Sequence, residues 1–288
     1  MAHDIHRIDH TGILSRDLDK LEERYEALGF TLSPRSRHLL SERPGEPPVL
    51  GGTANRCALF GETYIELLGI VDESAPDPWR TKEVPDGFRI FYVGTDDADA
   101  QVFRLSEAGV PILGVRSLER EVDTVEGPRT MRARALHIDP RFTPQGYVGI
   151  AQQLTPEYLH QPRYLEHPNG AQAIGGVLMV AADAEVETHV ERYARILDTA
   201  PRREGNRHVL DLRAGRLEII SASAAEETIP GDASSAPSYL AAMSIVVRDV
   251  RAARTLVEGN GIATRAAGDG FYVSAGDAFG AGLFFTGR

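Results

Sequence analysis

The stretch IDHTGILSRDLDKLEERYEALGF (Ile8 to Phe30) decides the fold of this chain. Its first part, up to Ser15, has the apolar character of a buried strand, and Asp17 is a suitable N-cap for a helix. Leucines and a tyrosine then recur at helical spacing until Gly29, a residue type that commonly ends helices. The stretch therefore predicts a strand followed at once by an amphipathic helix.

The same pattern recurs along the chain, with the same spacing of twelve residues between the aspartate and the glycine. The copies are FRIFYVG (Phe88 to Gly94) with Asp97 and Gly109, and YLAAMSIVV (Tyr239 to Val247) with Asp249 and Gly261. A fourth, looser copy runs from Ile174 to Ala181 and continues with Asp183. Short β-like stretches follow each predicted helix, which indicates an internal repeat.

The repeat predicts an α+β fold made of four βαβββ units. We expect units one and two, and units three and four, to pair into two cupped mixed sheets. The predicted domains are residues 1–160 and residues 172–288, separated by a Pro-containing linker between about 156 and 172. A generic α+β protein with similar strand–helix openings is the alternative, because Asp before a helix and Gly after one are common.

Composition limits the class of partner. The net charge of −11 has no compensating basic block, which argues against nucleic-acid binding. One cysteine, Cys57, excludes an internal disulfide framework and suits a reducing compartment. The polar start from Met1 to Arg7 has no signal-peptide character, and no apolar run reaches the roughly 18 residues of a membrane span. We expect a cytoplasmic protein without a membrane partner.

Several short motifs resemble the vicinal oxygen chelate superfamily, and more narrowly its glyoxalase-like-domain branch. The motifs are Asp9-His10, Asp17-Leu18-Asp19, Leu28-Gly29-Phe30, GTANRC (Gly52 to Cys57), YIELLGI (Tyr64 to Ile70) and HPNGA (His167 to Ala171). The length and the four-unit layout are similar to those of extradiol dioxygenases. These motifs support the fold more strongly than any one reaction.

The resemblance implies a divalent metal ion, of unknown identity among Zn, Fe, Mn, Ni and Mg, inside the cupped sheet. His10, Glu66 and Gln153 are the predicted ligands, because imidazole and carboxylate on neighbouring strands leave positions open for substrate oxygens. A hydrogen-bonded core histidine and an exposed glutamate are the alternatives for His10 and Glu66.

The C-terminal pair of units lacks matching ligands. Gly176 and Ala242 of this pair, like Ile90 of the second unit, stand where His10 stands in the first unit, and none of them can bind a metal. We therefore expect the site in the N-terminal pair and a structural or capping role for the C-terminal pair, with a smaller or more apolar cavity. Glu218, which imitates Glu66, should be neutralised by a partner or exposed.

Other side chains are assigned to substrate chemistry. His38, before the Pro/Gly-rich loop from Arg43 to Gly52, is a candidate general base, and Arg89 is a candidate for stabilising an enolate or a carboxylate. The predicted substrate-binding residues are Asn55, Arg56, His137, Tyr147 and Gln152.

These expectations favour a metal-dependent lyase or isomerase that acts on a small oxygen-rich molecule, with a homodimer as the expected assembly. A metal-free small-molecule binding protein and an unorthodox extradiol-type dioxygenase are the alternatives. Metal analysis separates the first alternative from the enzyme, and oxygen uptake with redox-active iron would reveal the second.

Overall fold

The structure is a computed structural model that describes residues 5–287. The first unit comprises β1 (Arg7–Ser15), α1 (Leu18–Ala27), β2 (Ser36–Leu40), β3 (Val49–Phe60) and β4 (Thr63–Ile70). The second unit comprises β5 (Gly87–Gly94), α2 (Ala98–Glu107), β6 (Ile112–Thr124), β7 (Gly127–Ile138) and β8 (Tyr147–Gln153). A short helix, α3 (Pro156–Leu159), follows.

The third unit comprises β9 (Ala171–Ala181), α4 (Val186–Leu197), β10 (Arg202–Glu204), β11 (Arg207–Asp211) and β12 (Arg216–Ser221), and the helix α5 (Ala222–Thr228) follows it. The fourth unit comprises β13 (Ser238–Val247), α6 (Val250–Gly259), β14 (Arg265–Ala267), β15 (Gly270–Val273) and β16 (Gly282–Thr286). The predicted four βαβββ units are confirmed. None of the helices within residues 5–287 is long and apolar enough to span a membrane.

The aspartates and glycines of the repeat bound three of the helices. The side chain of Asp17 accepts a hydrogen bond from the backbone N–H of Lys20, and Asp97 and Asp249 cap α2 and α6 in the same way. Gly29, Gly109 and Gly261 follow these helices with positive φ angles of 87°, 68° and 79°. Glycine takes this left-handed conformation without strain, so it is well suited to turn the chain out of the helix.

The helix α4 differs from this pattern. Asp183 lies in a 3₁₀ turn before α4, and its carboxylate accepts a hydrogen bond from the backbone N–H of Ser223 instead of capping the helix. Asp198, with φ of 53°, ends α4 in place of a glycine. This is why the third unit is the loosest copy in the sequence.

The first two units form a closed barrel in the strand order β1-β4-β3-β2-β6-β7-β8-β5. Its closing seam is the antiparallel pairing of β2 with β6, in which Leu39 and Leu40 face Glu119 and Leu118. The third and fourth units form an open eight-stranded sheet in the order β10-β11-β12-β9-β13-β16-β15-β14. Its end strands, β10 and β14, have three residues each, which offers too little backbone for a matching seam.

One hydrophobic core joins the barrel to the open sheet. Buried side chains of β1, β4 and β5 on the outside of the barrel belong to the same cluster as side chains of β9 and β13. The Phe30 and Phe285 rings, one from each half, stack with centroids 6.2 Å apart, and the Thr11 hydroxyl lies 3.4 Å from the Met243 sulfur. The outer faces of β1, β4 and β5 are therefore occupied by this contact between the two halves.

This shared core predicts that the two halves unfold together. Phe285→Ala removes a fully buried ring that stacks on Phe271 at 4.6 Å, and should lower the free energy of unfolding by about 3–5 kcal/mol. The control Phe103→Ala changes a ring that is 74% exposed and should cost less than about 0.5 kcal/mol. Urea unfolding followed by circular dichroism measures both. Separate transitions for the two halves would contradict the shared core.

Candidate functional site

The interior of the barrel contains a cavity of about 80 Å³. This is larger than the roughly 10–15 Å³ that one ordered water needs, so several waters or an ion with a small ligand can enter. The side chains of His10, His38, Glu66 and Gln153 all line it. They come from β1, β2, β4 and β8, so four strands of both units deliver polar groups to one space. The remaining wall is mostly apolar or aromatic.

His10 is held in one orientation by its neighbours. A register shift of β1 against β5 between Ile8 and His10 allows Asp9 and His10 to be buried side by side. The Nδ1 atom of His10 lies 2.7 Å from Oδ1 of Asp9, and the ring stacks between Tyr64 and Tyr92 at 4.6 and 4.8 Å. The bond to Asp9 leaves Nε2 as the nitrogen available to a ligand in the cavity.

Glu66 is a buried carboxylate, 8% exposed, on β4. The amide nitrogen of Asn55 donates a hydrogen bond of 2.6 Å to Glu66 Oε1, which offsets part of the cost of burying the charge. The same oxygen lies 3.7 Å from Nε2 of His38. Asn55, predicted to bind substrate, therefore contacts Glu66 and orients it.

His38 lies in β2, where Ser36, His38 and Leu40 alternate as buried residues. Its Nδ1 is 3.1 Å from the Thr53 hydroxyl, whereas its Nε2 is buried without a hydrogen-bond partner. Burial lowers the pKa of His38 to about 4, although the charge of Glu66 acts in the opposite direction. The ring is therefore neutral at pH 7. A general base works best with a pKa near the working pH, so this shift suits a metal ligand better than a base.

The donor set suits a divalent cation by its chemistry. Two imidazoles, one carboxylate and the amide oxygen of Gln153 surround the cavity, and both His38 Nε2 and Gln153 Oε1 are buried without partners. Within residues 5–287, however, no three His, Cys, Asp or Glu side chains already form a ready-made metal cluster. The donor atoms are of the types that bind a divalent ion, and two of them have no other partner. They are not already arranged around one point.

A second, wider cleft adjoins the barrel cavity and has a volume of about 600 Å³. Trp79 and Tyr147 line both spaces and form a shared wall between them. The predicted residues His137 and Arg89 line this outer cleft, together with Arg116. The structure thus places His137 and Arg89 in the outer cleft, whereas Tyr147 lines the barrel cavity with Glu66 and His10 as well.

Two predicted substrate-binding residues lie on the outside of the barrel, so these predictions need correction. Arg56 forms ion pairs with Glu22 and Glu26 on α1. Gln152 donates a hydrogen bond of 2.7 Å to the backbone carbonyl of Asp96. Successive strand residues point to opposite faces, so Asn55 and Gln153 face inward where Arg56 and Gln152 cannot.

The sequence interpretation missed Asp9, Thr53 and Arg116. Asp9 precedes His10, but regular alternation would direct it outward, and the register shift that buries it is not visible in the sequence. Thr53 lies two residues before Asn55 and therefore shares its face of β3, which is a usable signal. Arg116 lies two residues before Leu118 on β6, a strand that the sequence interpretation did not identify.

The C-terminal sheet differs from the barrel. Glu218 is buried and forms ion pairs with Arg207 and with Arg216, the latter at 2.6 Å. The cleft beside it has a volume of about 570 Å³ and contains several charged side chains. The expectation of a smaller or more apolar cavity is therefore wrong, because the open sheet leaves its polar concave face uncovered.

Comparisons with known proteins agree with the geometry. Residues 8–197 match the family model described as Glyoxalase-like domain. No curated protein matches the sequence. Among solved structures, a hypothetical protein from Staphylococcus aureus is similar with a TM-score of 0.67 at 15% identity, covering 99% of this chain and 100% of that one.

Two further solved structures share the fold at 11% identity. A xylose isomerase-like TIM barrel/4-hydroxyphenylpyruvate dioxygenase fusion protein has a TM-score of 0.56, covering 91% of this chain and 40% of its own. A mutant of 4-hydroxymandelate synthase from Streptomyces coelicolor has a TM-score of 0.53, covering 92% of this chain and 78% of its own. At this identity the likeness establishes the fold alone.

The buried His137 predicts a loss of stability in mild acid. Burial, with Arg116 adding to the effect, lowers the pKa of His137 to about 3. Unfolding restores a pKa near 6.5, so between these values the unfolded chain binds a proton that the folded chain does not. Stability therefore falls as the pH is lowered, by roughly 2 kcal/mol between pH 7 and pH 5 from this residue.

Urea unfolding of wild type and His137→Gln at the two pH values measures this contribution, because the variant cannot take up the proton. We expect the variant to lose less stability than wild type on acidification. Equal losses in the two proteins would show that His137 titrates normally when folded.

Proposed function

Since this chain belongs to the glyoxalase-like domain family of the vicinal oxygen chelate superfamily, we propose that it is an enzyme that binds a divalent metal inside the barrel and acts on a small oxygen-rich metabolite. One observation carries the proposal. A buried, neutral and unpartnered imidazole nitrogen, Nε2 of His38, lies 3.7 Å from the carboxylate of Glu66, and His10 and Gln153 line the same cavity.

His10, His38 and Glu66 are the proposed ligands, with Gln153 supplying an amide oxygen. Two atoms bonded to one ion at about 2.0–2.2 Å can lie up to roughly 4.4 Å apart, so the separation of His38 and Glu66 is compatible with a shared ion. Two imidazoles and one carboxylate form a set that leaves coordination positions open. This assignment moves His38 from the predicted base to the ligand set, because its pKa is low.

Asp9, Thr53 and Asn55 are proposed as positioning residues behind the ligands. Each contacts one of them: Asp9 contacts His10, Thr53 contacts His38, and Asn55 contacts Glu66. Hydrogen bonds of this kind fix the ring orientation of a ligating histidine and increase its basicity. The Gln153 amide nitrogen also donates a hydrogen bond of 3.0 Å to Asp9, so the amide oxygen of Gln153 points away from Asp9.

When bound, the ion would act as a Lewis acid that stabilises an enolate or a similar oxyanion. The chain's own side chains would bind and shield the substrate. Leu40, Leu68 and Ile90 line the cavity and exclude water from part of its wall. Burial raises the pKa of Tyr92 and of Tyr147, so both hydroxyls stay protonated at neutral pH. The Tyr147 hydroxyl donates to the Trp79 carbonyl at 2.9 Å and the Tyr92 hydroxyl lies 3.2 Å from His137 Nδ1, so both rings are fixed in the cavity wall. Isomerase or lyase chemistry needs only this Lewis-acid role, whereas oxygen insertion, which two imidazoles and a carboxylate can also support, requires redox-active iron.

A metal-free binding protein is the second candidate, and one observation favours it. The Asn55 amide already satisfies one oxygen of Glu66, and residues 5–287 contain no preformed cluster of three metal-binding side chains. A polar ligand could then bond directly to the unpartnered His38 and Gln153 atoms. Both candidates use the same cavity and differ in whether an ion is required.

Metal content separates the two candidates. Protein purified without chelators and loaded with Zn²⁺, Mn²⁺, Ni²⁺ or Fe²⁺ should retain close to one ion per chain by elemental analysis. Glu66→Gln should bind the ion at least about tenfold more weakly, because it removes a charged ligand. The variant should stay folded, since glutamine has nearly the same size as glutamate. The control Glu218→Gln alters the similar carboxylate of the open sheet and should leave metal content unchanged.

His38→Gln completes the experiment. Loss of the ion in this variant supports the ligand assignment, whereas retained metal with abolished activity would make His38 a base. A wild-type protein that retains none of the four metals would contradict the enzyme proposal and favour the binding protein.

A further inference from the structure

The outer cleft beside the barrel cavity contains an imbalance of charge. Four arginines line it, together with the carboxylates of Glu83 and Asp139. Glu83 pairs with Arg80 and Asp139 pairs with Arg141, both at 2.6 Å. Neither Arg89 nor Arg116 has an ion-pair partner among the carboxylates of residues 5–287. The cleft therefore has two cationic groups that its own carboxylates do not neutralise.

Arg116 is the more unusual of these two arginines. It is half-buried, its Nε is buried without a hydrogen-bond partner, and burial lowers its pKa. On β6 it faces Ala135 of β7 and lies two residues before Leu118, which lines the barrel cavity. Strand alternation therefore directs Arg116 toward the interior side of the barrel at its open end. A desolvated guanidinium with an unused donor is costly unless an anion binds it.

A second buried donor lies in the same cleft. His137 is 5% exposed, its Nδ1 lies 3.2 Å from the Tyr92 hydroxyl, and its Nε2 has no partner. In the neutral ring, a hydrogen bond donated by Tyr92 to Nδ1 leaves a proton on Nε2. The Arg89 guanidinium donates hydrogen bonds to the backbone carbonyls of Pro85 and Asp86, at 3.2 and 3.3 Å.

We propose that Arg116 and His137 Nε2, with Arg89 nearby, bind the carboxylate of a small organic acid whose apolar part lies against Trp79 and Tyr147. Planar guanidinium groups match the geometry of a carboxylate and form strong charge-assisted hydrogen bonds with it. Trp79 packs edge-on against His137, with centroids 4.5 Å apart, so an aromatic surface adjoins the donors. This inference rests on the proposed function in one respect, which is that the acid is taken to be the substrate of the enzyme.

Phenylacetate and its uncharged counterpart phenylacetamide are suitable probes, because they differ in charge and share their apolar part. Calorimetric titration of the full chain should show phenylacetate binding at least about tenfold more tightly than phenylacetamide. Arg116→Gln should remove this preference, and Arg116→Lys should restore part of it. The control Arg141→Gln changes a cleft arginine already paired with Asp139 and should keep the preference.

Thermal unfolding checks that the Arg116 variants remain folded, and metal content is measured on the same samples. Arg116→Gln should keep its metal, whereas Glu66→Gln should lose metal and keep the preference for the acid. A protein that binds no metal should therefore still bind phenylacetate more tightly than phenylacetamide. Equal affinities of wild type for the acid and the amide, no binding of the acid, or an unchanged preference in Arg116→Gln would each overturn the carboxylate site.

Discussion

The pairing of β2 with β6 through Leu39, Leu40, Leu118 and Glu119 closes the first sheet into a barrel. Closure removes the edges of the sheet and surrounds its interior with a continuous ring of strands. Polar groups inside this space are desolvated, which lowers the pKa of His38 to about 4, and burial beside the adjoining cleft lowers the pKa of His137 to about 3. The neutral ring of His38, the buried Glu66 and the unpartnered His38 Nε2 and Gln153 Oε1 atoms are consequences of this enclosure.

The open sheet provides the contrast. It has the same strand–helix repeat and a glutamate in a corresponding strand, yet Glu218 is neutralised by Arg207 and Arg216. In this open sheet, Arg207 of the neighbouring strand β11 and Arg216 of β12 itself reach the carboxylate and neutralise it. Glu66 instead contacts a neutral amide and a neutral imidazole, so its charge stays available for a cation. A shared core holds the open sheet against the outside of the barrel.

The barrel cavity and the outer cleft are chemically different and share the wall formed by Trp79 and Tyr147. The inner space provides nitrogen and oxygen donors suited to a cation, and the outer space provides arginines suited to an anion. A substrate with a carboxylate at one end and oxygens able to chelate at the other would match both spaces. This complementarity links the proposed metal chemistry to the proposed class of substrate.

The sequence by itself determined the elements and their order. Asp17, Asp97 and Asp249 cap helices through local hydrogen bonds, and the glycines that follow adopt left-handed conformations, so short-range chemistry was sufficient. Alternation along β8 allows only one of Gln152 and Gln153 to face inward, and the structure shows that it is Gln153. These features depend on neighbours a few residues away, and such neighbours can be read from the chain.

Tertiary structure alone decided how these elements form a site. His38 was expected near a loop and lies in a buried strand, Arg56 was expected at the substrate and pairs with α1, and Arg116 was not expected at all. Closure of one sheet and not the other could not be predicted from the sequence. It depends on the pairing of β2 with β6, in which Leu39 lies opposite Glu119, 80 residues further along the chain. Long-range pairing of this kind sets the desolvation that determines each group's chemistry, and no local pattern encodes it.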